Sequence, residues 1–337
     1  MNRIRLLLAC IMLCGMHAKA QETLLKPGRI IFYNVENLFD TIDEPDKDDA
    51  EFLPTSKAKW NSERYKLKLQ HIAQVIDSLT DTIQPFVIGL AEVENKQVLE
   101  DLIKLPSMRG IDWGIVHHDS PDERGIDVGI LYNKGVVDER IGTHLSVNIE
   151  GDPTRDIVYL KCYLYEGEPF WIFVNHWPSR RAATDSTGQK RMIVANTLLK
   201  KIENLYLGEP FASVIVMGDL NDTPTDSSTQ ALLNFKFVNP EYQALNNLML
   251  PLMQQGKYTV DYKEQKDIFD QIIVSNYLLK KNDRCTIRNG QAHIYAPNWL
   301  LFQHNKYGAI PNRTYSYGKY TGGYSDHLPV YIDVVFK

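Results

Sequence analysis

The stretch Ala212–Asp222, ASVIVMGDLND, decides how the rest of the chain is read. Val214 to Met217 form a short apolar run rich in β-branched residues, and it stops abruptly at Gly218 and Asp219, with Asn221 and Asp222 close behind. Such a run, bounded by turn formers, reads as a buried strand. A carboxylate placed where the strand surfaces is partly desolvated and needs a partner there.

Four further stretches repeat the pattern. RIIFYNVENLF (Arg29–Phe39) reads as a strand ending near Asn34, and PFVIGLAEV (Pro85–Val93) as a strand ending in acid at Glu92. FWIFVNHW (Phe170–Trp177) runs into Asn175 and His176, while HLPVYIDVVF (His327–Phe336) is a strand preceded by Ser325, Asp326 and His327. Each strand ends or begins in groups that bind metal or move protons. Any one of them alone reads as a turn residue or a hydrogen-bonded histidine; five together predict a shared pocket where one edge of the sheets gathers its loops.

Between the strands lie helices. Lys59–Leu79 carries Tyr65, Leu69, Ile72 and Ile76 at helical spacing, Lys96–Leu105 is a second helix, and Gly188–Tyr206 is a third with Met192, Ala195, Leu198 and Leu199 facing the core. DVGILYN (Asp127–Asn133), DIVYLKCYLY (Asp156–Tyr165) and FDQIIVSNYLL (Phe269–Leu279) complete the strand-rich middle of the chain. The acidic Asp40–Phe52 segment and the aromatic, glycine-containing stretch Tyr295–Tyr324 are expected to be loops.

Composition narrows the function classes. The chain has 337 residues, formal charge -5 and 44% hydrophobic residues, enough for a large core. A mild negative balance without a basic stripe argues against sequence-independent gripping of long nucleic acid. It leaves phosphate chemistry open, because a bound cation reverses the local field. Arg3 and Arg5, the apolar run Leu6–Met16, and Ala18 and Ala20 before Gln21 describe a secretory leader over residues 1–20. The mature chain, 21–337, is then one domain, exported to a periplasmic or extracellular location. A lipid attachment at Cys10 is the weaker alternative. No later segment is apolar and long enough to span a bilayer. Of the cysteines, Cys162 and Cys285 remain, either as one disulfide or as two buried thiols.

Asn34, Glu92, Asp219, Asn221 and Asp326 offer oxygen, which favours Mg²⁺, or Mn²⁺, over zinc. A hard ion with spare water positions suits phosphate ester hydrolysis, and no GxSxG nucleophile elbow is present.

LAEVEN (Leu90–Asn95), NHW (Asn175–Trp177), GDLND (Gly218–Asp222) and YSDHLP (Tyr324–Pro329) together resemble the endonuclease/exonuclease/phosphatase superfamily over about residues 28 to 336. FYNVENLFD (Phe32–Asp40) further resembles exported bacterial members. The resemblance implies a deoxyribonuclease-I-like α/β (α+β) fold, a four-layer sandwich of two packed mixed or antiparallel sheets flanked by helices. It implies a Mg²⁺-dependent hydrolase of ester bonds. Glu92 would be the principal metal ligand, with Asn34 beside metal and phosphate and Asp326 a further metal contact. His176 would contact phosphate, Asp219 would position or activate water, Asn221 would hold phosphate or metal, and His327 would be the catalytic histidine oriented by Asp270. Arg124, Arg180 and Arg181 are candidates for phosphate contact, and Tyr317 and Tyr320 for facing substrate. The sequence departs from the family in the Asn175 and Trp177 that flank His176, and the continuation Trp177–Arg180 is expected to shape a substrate wall. The substrate is a phosphoester, either DNA cleaved by an endonuclease or exonuclease, or a small or lipid-linked phosphodiester or phosphomonoester; a lipid-type enzyme would need an exposed apolar hairpin, for which Trp299–Phe302 is the nearest stretch. Nothing in the sequence calls for an obligate protein partner. The rival reading is a non-catalytic binding module on the same fold.

Overall fold

The structure is a computed structural model and describes residues 27–336 apart from 166, 168, 181–187, 263–264 and 281–283. The leader expected over 1–20, and Arg181, lie outside the described residues. In chain order the strands are β1 (Gly28–Leu38), β2 (Gln84–Val93), β3 (Trp113–His117), β4 (Asp127–Asn133), β5 (Val137–Leu145), β6 (Ile157–Leu164), β7 (Pro169–His176), β8 (Ser213–Asp219) and β9 (Leu245–Asn247). They continue with β10 (Val260–Tyr262), β11 (Gln265–Asp267), β12 (Asp270–Ser275), β13 (Cys285–Ile287), β14 (His293–Ile294), β15 (Leu301–His304), β16 (Gly308–Pro311), β17 (Tyr315–Ser316), β18 (Lys319–Tyr320) and β19 (Val330–Phe336). The main helices are α1 (Ser62–Thr80), α2 (Lys96–Ile103) and α3 (Gln189–Gly208).

Two sheets pack face to face. The first has the order β13-β19-β1-β2-β4-β3, with β14 also on β19, and the second has β5-β6-β7-β8-β12-β9. At the heart of each sheet one parallel pair, β1–β2 or β7–β8, sits among antiparallel neighbours. The central strands are buried on both faces, which is why they read as unbroken apolar runs rather than alternating ones. Ile30 and Phe32 of β1 point between the sheets with Ile172, Val174, Ile215 and Met217. Ile31 and Tyr33 point outward onto Leu69, Ile72 and Ile76 of α1. Val214 and Val216 likewise face Ala195, Leu198 and Ile202 of α3. The result is the expected four layers. Each fully buried aliphatic side chain contributes about 1.5–3 kcal/mol relative to exposure.

Local signals fix the helix starts. The side chain of Asn61 accepts from the Arg64 N–H at 3.0 Å, and that of Asn95 from the Val98 N–H at 3.1 Å, satisfying donors that a helix start leaves unpaired. Among the described residues no helix is long and apolar enough to cross a membrane.

Four expectations change. β1 continues past Asn34 to Leu38 through a register irregularity, with positive φ at Glu36 and Asn37. Tyr295–Tyr324 is not a plain loop, since β15 pairs with β16 and β17 with β18 as two small hairpins. In α3, Met192 is only half-buried while Arg191 is buried, because its guanidinium reaches Asp222 at 2.9 Å and the Pro178 carbonyl at 3.2 Å. Finally, Cys162 on β6 and Cys285 on β13 are two buried thiols in the core between the sheets, not joined to each other, the second of the two alternatives.

Candidate active site

The site forms where the two sheets surface together, and strand register explains much of it. On the second sheet His176 of β7 lies opposite Asp219 of β8, and Asp219 lies opposite Asp270 of β12. Three adjacent strands therefore present a histidine and two aspartates in one row. Gly218 is required by this packing, because a Cβ there would lie 2.3 Å from the Asn175 carbonyl oxygen. The first sheet supplies Asn34 from β1, Glu92 from β2, and His327 from the segment entering β19.

Glu92 sits on a bulge. The β2–β4 register shifts between Ala91 and Val93, and Glu92 adopts φ 62°. A left-handed non-glycine residue costs of order 1–3 kcal/mol and persists only where its surroundings demand it. Asn221, behind Asp219, has φ 50°. Strain thus gathers around the cluster.

Asn34 ties the sheets together. Its side-chain NH₂ donates to Glu92 Oε1 at 3.2 Å and to Asp219 Oδ2 at 3.0 Å, while its Oδ1 accepts from the Glu36 N–H at 3.0 Å. The amide is therefore a donor set between two carboxylates, not the oxygen ligand expected from the sequence; two buried acids facing each other need that donor. Glu92 Oε2 accepts from the Asn37 N–H at 2.9 Å. Among the described residues its ion pairing extends only to His176 Nε2 at 3.9 Å.

His327 Nδ1 lies 2.8 Å from Asp270 Oδ2, and its Nε2 faces Asp219 Oδ2 at 3.7 Å and Asp326 Oδ1 at 3.9 Å. Burial opposes charge on His327, but Asp270, Asp219 and Asp326 outweigh it and hold the imidazole pKa well above its ordinary value. His176 Nε2 is 3.7 Å from Asp219 Oδ2. Here burial and the charges of Arg155, Arg124 and His327 push the pKa well down. The two histidines are therefore pushed in opposite directions, His327 toward its charged form and His176 toward its neutral one. Burial raises Asp219 to about 6, against the opposing pull of His327.

The remaining expected residues divide. Asp326 is shared, its Oδ1 facing His327 Nε2 at 3.9 Å and its Oδ2 pairing with Arg313 at 2.8 Å. Asn221 anchors the turn, its N–H on Asp219 Oδ1 at 2.9 Å and its side-chain NH₂ on the Trp177 carbonyl at 3.0 Å. Arg124 donates to Asn37 Oδ1 at 2.9 Å, at the rim beside Glu92. Arg180 braces the loop after β8, bonding the Asn221 carbonyl at 2.8 Å, Asp222 at 3.1 Å and Asp226. Trp177 is 1% exposed and donates to Asn175 Oδ1 at 3.1 Å. It belongs to the core under α3, not to a substrate wall. Tyr317 is fully out in solvent and Tyr320 stacks under the Arg64 guanidinium, 4.1 Å away.

Sequence reasoning missed a charged network below the site. Glu36 accepts from the Thr314 N–H at 2.6 Å and lies 3.6 Å from Arg313. Lys68 donates to Thr314 Oγ1 and the Tyr324 carbonyl, both at 2.6 Å. Burial raises Glu36 to about 7 and lowers Lys68 to about 8. Lys68 carried one signal, as a lysine on the face of α1 that also holds Leu69 and Ile72. Arg155 was also missed; it bonds the carbonyls of His176 and Trp177 and pairs with Asp122 at 2.8 Å. Beside Arg313 opens a cavity of about 570 Å³ lined by Asp261, Phe302, Tyr307, Asn312 and Tyr317. Two groups outside the cluster, His118–His144–Asp156 and His117–Asp119–Asp127, each bring three ligand atoms within 4.8 Å of one another and so offer places for a divalent ion.

The fold is shared with solved structures of low sequence identity. A humanised TDP2 from D. rerio matches with TM-score 0.56 at 17% identity, covering 91% of this chain and 98% of the other. The human Nocturnin catalytic domain with bound sulfate gives 0.54 at 16%, covering 93% and 96%. A mannosyl-6-phosphatase from Bacteroides thetaiotaomicron gives 0.55 at 17%, covering 92% and 100%. No curated protein matches the sequence significantly. The sequence itself fits a family model from residue 29 to residue 335, a span running from the first residues of β1 to the last of β19 and holding every residue of the cluster. On that match the chain belongs to the Endonuclease/Exonuclease/phosphatase family.

Proposed function

We propose that this protein is an exported, single-domain, metal-dependent phosphoesterase that hydrolyses its substrate by water attack at phosphorus. The observation that carries the reading is the Asp270–His327 pair at 2.8 Å, aimed at Asp219 and facing His176 and Glu92 across the seam of the sheets. A hydrogen-bonded carboxylate–imidazole pair is a proton-handling device. Among the described residues Glu92 itself makes no ion pair with a lysine or arginine, and a carboxylate so placed calls for a cation.

The residues present fit Mg²⁺ or Mn²⁺. Glu92 is held by neutral donors, Asn34 and the Asn37 N–H, and oxygen donors suit a hard ion. Glu92 would hold it, with Asp219 and Asp326 nearest to assist. When bound, the ion supplies charge stabilisation for the transition state. The chain's own residues do the rest. Asp219, raised to about 6 by burial, is matched to accept a proton from water near neutral pH. His327, kept cationic by its carboxylates, faces the charge that develops on phosphate. Neutral His176 donates a hydrogen bond, and Arg124 and Arg155 lend positive field.

The substrate remains a phosphoester, and the fold alone admits both classes: one D. rerio TDP2 structure is a complex with single-strand DNA product, and another relative is a mannosyl-6-phosphatase. A small or lipid-linked ester is favoured over duplex DNA by two features. The chain carries net charge -5, and the cavity beside Arg313 is concave and aromatic, with a volume suited to a small organic group. The test is turnover of a panel with Mg²⁺, Mn²⁺ and chelator, containing duplex and single-strand DNA, an aryl phosphodiester and sugar phosphates. Metal-dependent release from the small esters is expected. Turnover of duplex DNA alone overturns the substrate preference, and no turnover of any member overturns the enzyme reading in favour of a binding module.

A further inference from the structure

His118 follows β3, the edge strand of the first sheet; His144 lies near the end of β5, the edge strand of the second; Asp156 immediately precedes β6. These three meet where the two sheet edges close on each other, away from Glu92 and His327. The imidazoles of His118 and His144 lie parallel, 2° apart in plane and 3.3 Å between centroids. Their Nε2 atoms face one oxygen, Asp156 Oδ2, at 3.5 and 3.9 Å. The other oxygen, Oδ1, is fixed by the Val147 N–H at 3.0 Å, so the buried carboxylate is aimed by the backbone at the two rings.

Those separations are too long for good hydrogen bonds. An ion held by all three groups needs them somewhat closer and the two parallel rings turned toward it, since tetrahedral zinc with bonds of 2.0–2.1 Å spaces its ligand atoms about 3.3 Å apart. The surroundings are acidic. His117, next in the chain, lies between Asp119 at 3.6 Å and Asp127 at 3.4 Å, and its buried Nε2 makes no hydrogen bond. The side chains of His118 and His144 are 39% and 29% exposed, open enough for an ion to enter and for the rings to splay toward it.

We propose that His118, His144 and Asp156 form a second, structural metal site for an imidazole-preferring divalent ion, zinc foremost, which clips the edge of one sheet to the edge of the other. Two nitrogens and one oxygen with a solvent-facing fourth position is zinc chemistry rather than magnesium chemistry. The neighbour of Asp156 is Arg155, which bonds the His176 carbonyl, so the clip steadies the rim of the catalytic cluster without touching substrate.

The test dialyses the chelator-treated full chain against zinc and measures bound metal and melting temperature for wild type, His144→Gln, His118→Gln/His144→Gln and Glu92→Gln. The expected result is that the double variant loses one zinc equivalent per chain, His144→Gln binds roughly tenfold or more weakly, and Glu92→Gln keeps that equivalent. Zinc should raise the melting temperature of wild type and Glu92→Gln by several degrees and leave the double variant unmoved. Both histidines are part-exposed, so His144→Gln keeps the comparison readable should the double variant fold poorly. Equal zinc binding by wild type and both histidine variants overturns the proposal, as does loss of the zinc equivalent in Glu92→Gln alone.

Discussion

The catalytic cluster and the β3–β5 edge cluster are built alike and differ in kind. Both bring imidazole nitrogen and carboxylate oxygen to between 3.5 and 3.9 Å of each other at the seam of the two sheets, some pairs within one sheet and some across. In the catalytic cluster the groups are almost wholly buried, carboxylates predominate, and Asn34 and backbone N–H groups hold them in place. At the edge the histidines are a third exposed, nitrogen predominates, and a single aspartate is braced by a single N–H. Convergence alone therefore does not define a reactive centre. Burial and the ratio of oxygen to nitrogen decide whether a site manages protons and phosphate or merely grips an ion.

Substitutions can break this comparison, and the largest effect belongs to Glu92. Glu92→Gln should reduce turnover by roughly 10²–10³-fold, the scale of removing one strong transition-state stabiliser, and should raise the Mg²⁺ needed. Metal-titrated kinetics on an aryl phosphoester checks this, and unchanged turnover would sink the oxygen-rich centre. Next comes Asp270→Asn, which removes the charge that keeps His327 protonated and oriented. A rate loss of about 10²-fold is expected, with the melting profile close to wild type. A collapsed fold would instead mark Asp270 as a structural acid.

A smaller effect separates the buried charge network from both clusters. Burial, and secondarily Asp326, raises Glu36 to about 7 from 4.5, while Lys68 and Arg313 pull the other way. A carboxyl whose folded pKa is raised stabilises fully below its unfolded value and loses that contribution as pH rises through the folded one. Wild type should therefore lose about 2–3 kcal/mol relative to Glu36→Gln between pH 4.5 and 7.5. Urea unfolding of chelated protein at several pH values reads this directly, and a pH-independent difference between the two proteins would refute it. The smallest effect is expected at the edge. His144→Gln should leave Mg²⁺-dependent turnover within about twofold of wild type, on the scale of a surface change. A loss rivalling that of Glu92→Gln would erase the distinction between the clusters.

The residues that converge at the end of the two sheets were legible in the sequence because their signal is local. An acid or histidine directly after an apolar run is visible without knowing which strands pair, and so Glu92, His176, Asp219 and His327 were legible. The four-layer architecture came through the family resemblance rather than through periodicity, since central strands buried on both faces carry no alternation. What stayed hidden depends on partners distant in sequence. Glu36 meets Thr314 and Arg313, and His118 meets His144 and Asp156, only once the strands are in register. Trp177 was misjudged because strand alternation sends it away from His176, into the packing beneath α3. The hairpins between Tyr295 and Tyr324 escaped because strands of two to four residues are too short to show a period.

Asn34 has a mechanical meaning. One amide of the first sheet holds a carboxylate from each sheet, Glu92 from its own and Asp219 from the other. The halves of the sandwich behave as two jaws of a clamp, and Asn34 is the pin that keeps their working edges aligned. If that pin is the first contact to give on warming, turnover should fall below the melting transition, which activity and unfolding curves recorded together would show.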